Sequence, residues 1–134
     1  MKRTLVALFS ILPLLGTAEA LAGEATVVKV RVSAATPAGH RNFDVTVLHA
    51  DEGWKHYANL FQVLLPSGKS LQDRILAHPH VNEQPFERSA SRVKIPAGVN
   101  EVLVRARDSV HGHGQAIMVP LPADGSATVV MGKR

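Results

Sequence analysis

The sequence predicts an all-β chain, specifically an immunoglobulin-like antiparallel β-sandwich of seven to eight strands. Three observations carry that expectation. Apolar residues recur with period two, each run is closed by turn-forming residues, and no stretch keeps apolar residues at helical spacing for three turns. Short strands at this spacing, within roughly 110 residues, suit a sandwich better than a closed barrel. The cysteine pair that marks antibody-type domains is missing, because the chain has no cysteine.

Val28, Val30 and Val32 alternate with Lys29 and Arg31 in a first strand, and Phe43, Val45 and Val47 alternate with Asp44 and Thr46 in a second. Residues 60–65 are apolar on both faces, as in a central strand. The turn Pro66-Ser67-Gly68-Lys69 leads to a fourth strand over residues 71–77. Residues 81–90 show no alternation and are read as irregular. A short strand at 92–95 is followed by a turn over 96–100 and by the alternating Val102, Val104 and Ala106. Residues 116–121 and 127–131 complete the set.

Ahead of these strands lies a different pattern. Lys2 and Arg3 precede an apolar run over residues 5–15, and small residues follow at Ala18, Ala20 and Ala22. That is the three-part signature of a cleavable signal peptide. The run of eleven residues, at ~1.5 Å each, falls well short of a ~30 Å bilayer core. Residues 1–22 are therefore read as a signal peptide cut near Ala22, and 23–134 as a single β-sandwich domain, periplasmic or secreted, with no membrane span after cleavage.

Cleavage removes Lys2, Arg3 and Glu19 and so lowers the formal net charge of +4 by one. The remaining Lys and Arg residues are scattered singly, without a basic groove or interleaved aromatics, which argues against a nucleic-acid partner. The absence of cysteine excludes disulfides, thiolate metal sites and thiol catalysis.

The compositional anomaly is seven histidines, all beyond residue 22. With successive antiparallel strands joined as hairpins, alternate loops fall at opposite ends. His49 then ends the second strand, His56 lies in the next loop, His78 and His80 follow the fourth strand, and His111 and His113 follow the Val102 strand. Six of the seven gather at one pole, with His40 at the other.

Neutral imidazoles from separate loops of a rigid scaffold suit Zn(II) or Cu(II). Two His-x-His steps, His78-Pro79-His80 and His111-Gly112-His113, strengthen that reading. The candidate ligands are His56, His78, His80 and His111, with His49 and His113 as alternates, and Glu83, Arg88 and Asp108 are candidates for supporting or ligand-binding roles. Asp51 and Glu52 share the same loops. Only Met118 and Met131 remain as soft donors, too few to favour Cu(I), and a histidine-type N-terminal copper brace is precluded by Gly23.

Two other readings compete: a pocket for a polar ligand or an envelope protein on the same loops, and a purely structural polar network. Asp108 continues the inward phase of Val102, Val104 and Ala106, so it is expected to point inward and accept bonds from its own loop. Trp54, Tyr57 and Phe86 are read as a plug for that end of the core, with a pocket lining as the alternative. Ser109 lies between Asp108 and His111, but the three are crowded into one loop and no Gly-x-Ser-x-Gly or His-Glu-x-x-His motif occurs. The chain is therefore read as a binding protein rather than an enzyme, with a metal-dependent hydrolase left open.

The runs His78-Pro79-His80-Val81-Asn82-Glu83-Gln84-Pro85-Phe86, Ile95-Pro96-Ala97-Gly98-Val99 and Val104-Arg105-Ala106-Arg107-Asp108-Ser109-Val110-His111-Gly112 resemble a group of small exported bacterial domains of uncharacterised function. The resemblance implies a β-sandwich and brings no activity with it.

Overall fold

Valine-rich segments with alternating burial pair into two antiparallel sheets in the computed structural model, which describes residues 23–132. Residues 1–22, read from the sequence as a signal peptide, lie outside the described residues. Nine strands occur: β1 (Thr26–Val32), β2 (His40–Leu48), β3 (Ala58–Leu64), β4 (Ser70–Ile75), β5 (Phe86–Lys94), β6 (Glu101–Asp108), β7 (Gly112–His113), β8 (Ile117–Pro120) and β9 (Thr128–Met131). No helix occurs among the described residues. One sheet has the order β5-β2-β1-β9, and the other β4-β3-β6-β7, with β8 also paired to β6.

The inward faces of both sheets share one core, built from Val27, Val30, Phe43, Val45, Phe61, Val63, Val93, Val102 and Val104 among others. β6 shows the expected alternation without a break: Val102, Val104, Ala106 and Asp108 are buried, and the residues between them are not. In β2 the inward phase of Phe43, Val45 and Val47 runs on past the strand end, so that His49 and Asp51 are buried as well.

Four sequence expectations are corrected. The strand count is nine, because the segment after β6 splits into the short β7 and β8. In β1 a bulge at Val28 shifts the register between Val27 and Lys29, so Val27 packs in the central cluster with Val30 and Val32, while Val28 is buried outside that cluster. β5 begins at Phe86, not at Arg92. Its alternation is hidden by polar residues and by a bulge at Arg92, whose φ of 54° lies in the left-handed region and whose N–H is bonded to Asn42 Oδ1. Finally, residues 96–100 do not close a hairpin. β5 lies in one sheet and β6 in the other, so this connection crosses the core.

β4 is an edge strand, which explains its largely exposed pattern. The β3–β4 turn needs Gly68, with φ of 92°. At the pole formed by the ends of β2, β4 and β6, four segments meet: residues 23–25, 49–57, 76–85 and 109–111.

Candidate metal centre

Each segment delivers its polar side chain for a local reason. His49 and Asp51 are carried inward by the continued phase of β2. Gly53, with φ of 96°, lets residues 52–56 fold back, closed by Glu52 N–H on the His56 carbonyl at 2.8 Å. His56 is thereby returned to His49, with ring centroids 4.8 Å apart. Asp108 ends β6 on its inward face. Its Oδ1 accepts the N–H groups of Val110 at 2.7 Å and His111 at 2.5 Å, an Asx-type turn that sets His111 over the same point. Gly112, with φ of 80°, then reverses the chain into β7.

These residues surround one carboxylate oxygen. Asp108 Oδ2 lies 3.3 Å from His49 Nε2, 3.5 Å from His56 Nε2 and 2.9 Å from His111 Nδ1. Donor atoms of His49, His56 and Asp108 all fall within 4.8 Å of one another. Four ligands bound tetrahedrally at about 2.0–2.1 Å would stand ~3.3 Å apart, so the two Nε2 to Oδ2 separations match a metal's ligand spacing.

Tautomers sharpen the match. His49 Nδ1 is 2.5 Å from Asp51 Oδ1, a fully buried contact in which the ring donates its proton to the carboxylate. With Nδ1 as donor, the Nε2 of a neutral His49 carries a lone pair. That lone pair faces two further oxygens, Asp108 Oδ2 and the Gly23 carbonyl, each at 3.3 Å. Three lone-pair-bearing atoms turned on one point repel one another unless a cation or a proton lies between them. His56 repeats the arrangement: Nδ1 is 3.6 Å from Glu52 Oε1, while Nε2 is buried without a hydrogen-bond partner.

Charge balance points the same way. The side chains of Asp51 and Asp108 are both fully buried. Among the described residues, the basic groups within 4.0 Å of either are all imidazoles. Burial pushes the Asp108 carboxyl up, but the backbone N–H groups of His111 and Val110 and the His111 ring outweigh it and hold the carboxyl below its ordinary value. A divalent cation held among these imidazoles would supply counter-charge to the two buried acidic side chains.

Asp51 is the hub behind the ligands. Besides His49 it accepts Ala58 N–H at 3.0 Å on Oδ1 and His80 N–H at 2.6 Å on Oδ2. A carboxylate that fixes the ring of a metal-binding histidine is the usual supporting arrangement. Sequence reasoning placed Asp51 among several loop acids without distinguishing it. The signal was available in the unbroken inward phase of Val45, Val47, His49 and Asp51.

The other predicted residues lie elsewhere. His80 is buried and stacked on Phe86, with centroids 3.9 Å apart, and its Nε2 accepts an N–H of Arg88 at 2.9 Å. Burial first, then the neighbouring Arg88 and His78, lower its pKa below the ordinary histidine value against the pull of Glu83 and Asp51. His78 is exposed, its ring 4.6 Å from that of His80. Arg88 also reaches Glu83 at 3.6 Å, so this trio ties the 76–85 segment together. His113 pairs with Arg107 on the outer face of its sheet, where burial and the charges of Arg105 and Arg107 lower its pKa. His40 begins β2 at the opposite pole, as expected.

Of the three aromatics expected to plug this end, Phe86 does so, at 1% exposed. Trp54 is 68% exposed and packs edge-on against Tyr57. Ser109 Oγ accepts Tyr57 N–H at 3.1 Å and has the Lys55 carbonyl as its other partner, so it is not paired with an imidazole.

No protein-family model matches the chain. No solved structure is significantly similar to it. Among curated proteins, one named "Putative lipoprotein", from Halomicrobium mukohataei, is 38% identical over 109 residues, 80% of this chain and 52% of the relative. The chain thus spans about half the length of that relative.

Proposed function

We propose that this is an exported, non-catalytic protein that binds one divalent transition metal ion, Zn(II) in preference to Cu(II), through His49, His56 and Asp108, with His111 beside them. The observation that carries the reading is the pair of buried Nε2 atoms directed at Asp108 Oδ2 at 3.3 and 3.5 Å, a tetrahedral ligand spacing. Tetrahedral nitrogen and oxygen donors without thiolate suit Zn(II), whereas Cu(II) prefers a tetragonal set. Export is supported by the N-terminal pattern of charged, apolar and small residues, and by the name of the relative. An immunoglobulin-like fold is supported by strand order: β1-β2-β5 and β4-β3-β6-β8 correspond to A-B-E and C′-C-F-G of such sandwiches, with β9 added beside β1.

Titration of the mature protein with Zn(II) against a chromophoric chelator tests the reading. His49→Ala and His56→Ala are expected to weaken binding by at least about a hundredfold, since each removes one ligating nitrogen. The double variant His78→Ala plus His80→Ala is expected to retain it within about tenfold. No binding tighter than about micromolar by the wild-type chain, or greater loss from the His78 and His80 pair than from His49, would refute it.

A second reading, recognition of an envelope protein, is favoured by one observation. Apolar Trp54, Val81 and Val110 stand 68%, 55% and 59% exposed on the loops around the same site.

A further inference from the structure

We propose that the α-amino group of Gly23, released when the signal peptide is cut after Ala22, is itself a metal ligand, so that the centre is complete only in the exported and processed chain. The inference rests on the metal reading of the His49, His56 and Asp108 cluster, and on cleavage at the Ala22–Gly23 bond.

Two separate contacts bring Gly23 to the site. Its carbonyl oxygen is 3.3 Å from His49 Nε2, the same separation that His49 Nε2 keeps from Asp108 Oδ2. A Cβ built on Gly23 would stand 2.7 Å from Cε1 and 2.8 Å from Nε2 of His111, closer than carbon atoms tolerate. Gly23 thus lies directly against that ring, which a larger residue would have to displace, and the amino nitrogen is one bond from the Cα so placed.

The segment is held there by the fold. β1 begins at Thr26, opposite Leu48, so the residues before it extend over the end of β2, where His49 stands. Ala25 is fully buried, and a Cβ on Gly114 would overlap its carbonyl oxygen. Residues 23–25 are therefore held between the end of β2 and the loop after β6, where the backbone approach of Gly114 leaves no room for a Cβ.

The chemistry changes when the bond is cut. In the precursor the Gly23 nitrogen belongs to a peptide, and its lone pair is delocalised into the Ala22 carbonyl. Hydrolysis by water leaves a carboxylate on the departing peptide and a free amine on Gly23, with a localised lone pair. With His49, His56 and Asp108, that amine would complete a four-donor set for a divalent metal from this chain alone. A site that needs this amine stays incomplete in the unprocessed chain and is finished by export.

Three forms of the protein test this: the mature chain beginning at Gly23, the same chain with Ala22 retained in front, and the mature chain acetylated on its α-amine. The start of the exported protein is read by intact mass, and Zn(II) affinity by chelator competition. The expected result is a start at Gly23, with the extended and acetylated forms binding about a hundredfold or more weakly, the same scale as the loss of one histidine ligand. Their unfolding midpoints in chelator should equal that of the mature form. Equal affinity across the three forms overturns the amine as ligand while the cluster reading stands, and an exported chain starting elsewhere also overturns it. Failure of the mature form itself to bind overturns the cluster reading instead.

Discussion

Replacing Asp51 by Asn removes one charge from the hub of the site without changing its shape, and its consequences can be worked out from the contacts. The carboxylate accepts three buried donors: His49 Nδ1–H at 2.5 Å, Ala58 N–H at 3.0 Å and His80 N–H at 2.6 Å. An amide keeps one oxygen and turns an NH2 group toward at least one of those donors. Hydrogen bonds to a charged group contribute ~1.5–3 kcal/mol each, so loss of one such bond should destabilise the metal-free protein by ~2 kcal/mol. At ~4–8 °C per kcal/mol for a domain near 100 residues, the melting temperature in chelator should fall by ~8–16 °C. Metal affinity should fall by a further ~10–100-fold, because a neutral amide oxygen in place of the carboxylate holds the His49 ring less strongly and lowers its basicity. Thermal unfolding followed by circular dichroism, with EDTA and with Zn(II), separates the two effects. An Asp51→Asn protein that melts within about 2 °C of wild type in EDTA and binds Zn(II) equally well would refute the role assigned to Asp51.

Other predictions concern the surroundings. The folded state lowers the pKa of His80 below the unfolded value of 6.5, so the unfolded chain takes up the proton first as pH falls. Stability associated with His80 is thus full above pH 6.5 and declines below it. Urea midpoints in EDTA should drop more between pH 7.5 and 5.5 for wild type than for His80→Gln, and parallel declines would count against this. Phe86→Ala, at a site 1% exposed, should cost ~3–5 kcal/mol, whereas Trp54→Ala, at 68% exposed, should change stability by less than about 0.5 kcal/mol in urea melts. His113→Ala should leave Zn(II) affinity within about twofold of wild type, because the ring lies on the outer face of its sheet beside Arg107.

The gathering of histidines was legible for a reason that outlasted an error in topology. The connection over residues 96–100 crosses between sheets instead of closing a hairpin, yet either kind of short link returns the chain in the opposite direction. His49, His56, His80 and His111 therefore reach one end regardless of which sheet each strand joins. Asp108 was legible too, from the phase of Val102, Val104 and Ala106, and its Oδ1 does accept N–H groups of its own loop.

What escaped the sequence has physical causes. Period-two reasoning fails at a bulge, which hid the N-terminal part of β5 behind Arg92 and concealed that Val27 packs in the central cluster. A His-x-His step specifies local direction but not what stands opposite. His80 meets Arg88 and Phe86, partners brought in by the next strand, and His78 stands beside the His80 ring, not at the carboxylate that ends β6. Gly23 has no side chain to attract notice, and its contact with His111 is tertiary.

The central claim, that His49, His56 and Asp108 hold a divalent ion, is tested most directly by anomalous diffraction at the zinc edge from crystals of the mature protein grown with one equivalent of Zn(II). The account predicts one strong peak at about 2.0–2.2 Å from His49 Nε2, His56 Nε2 and Asp108 Oδ2. A peak between His78 and His80 instead, or none at the pole, would contradict it.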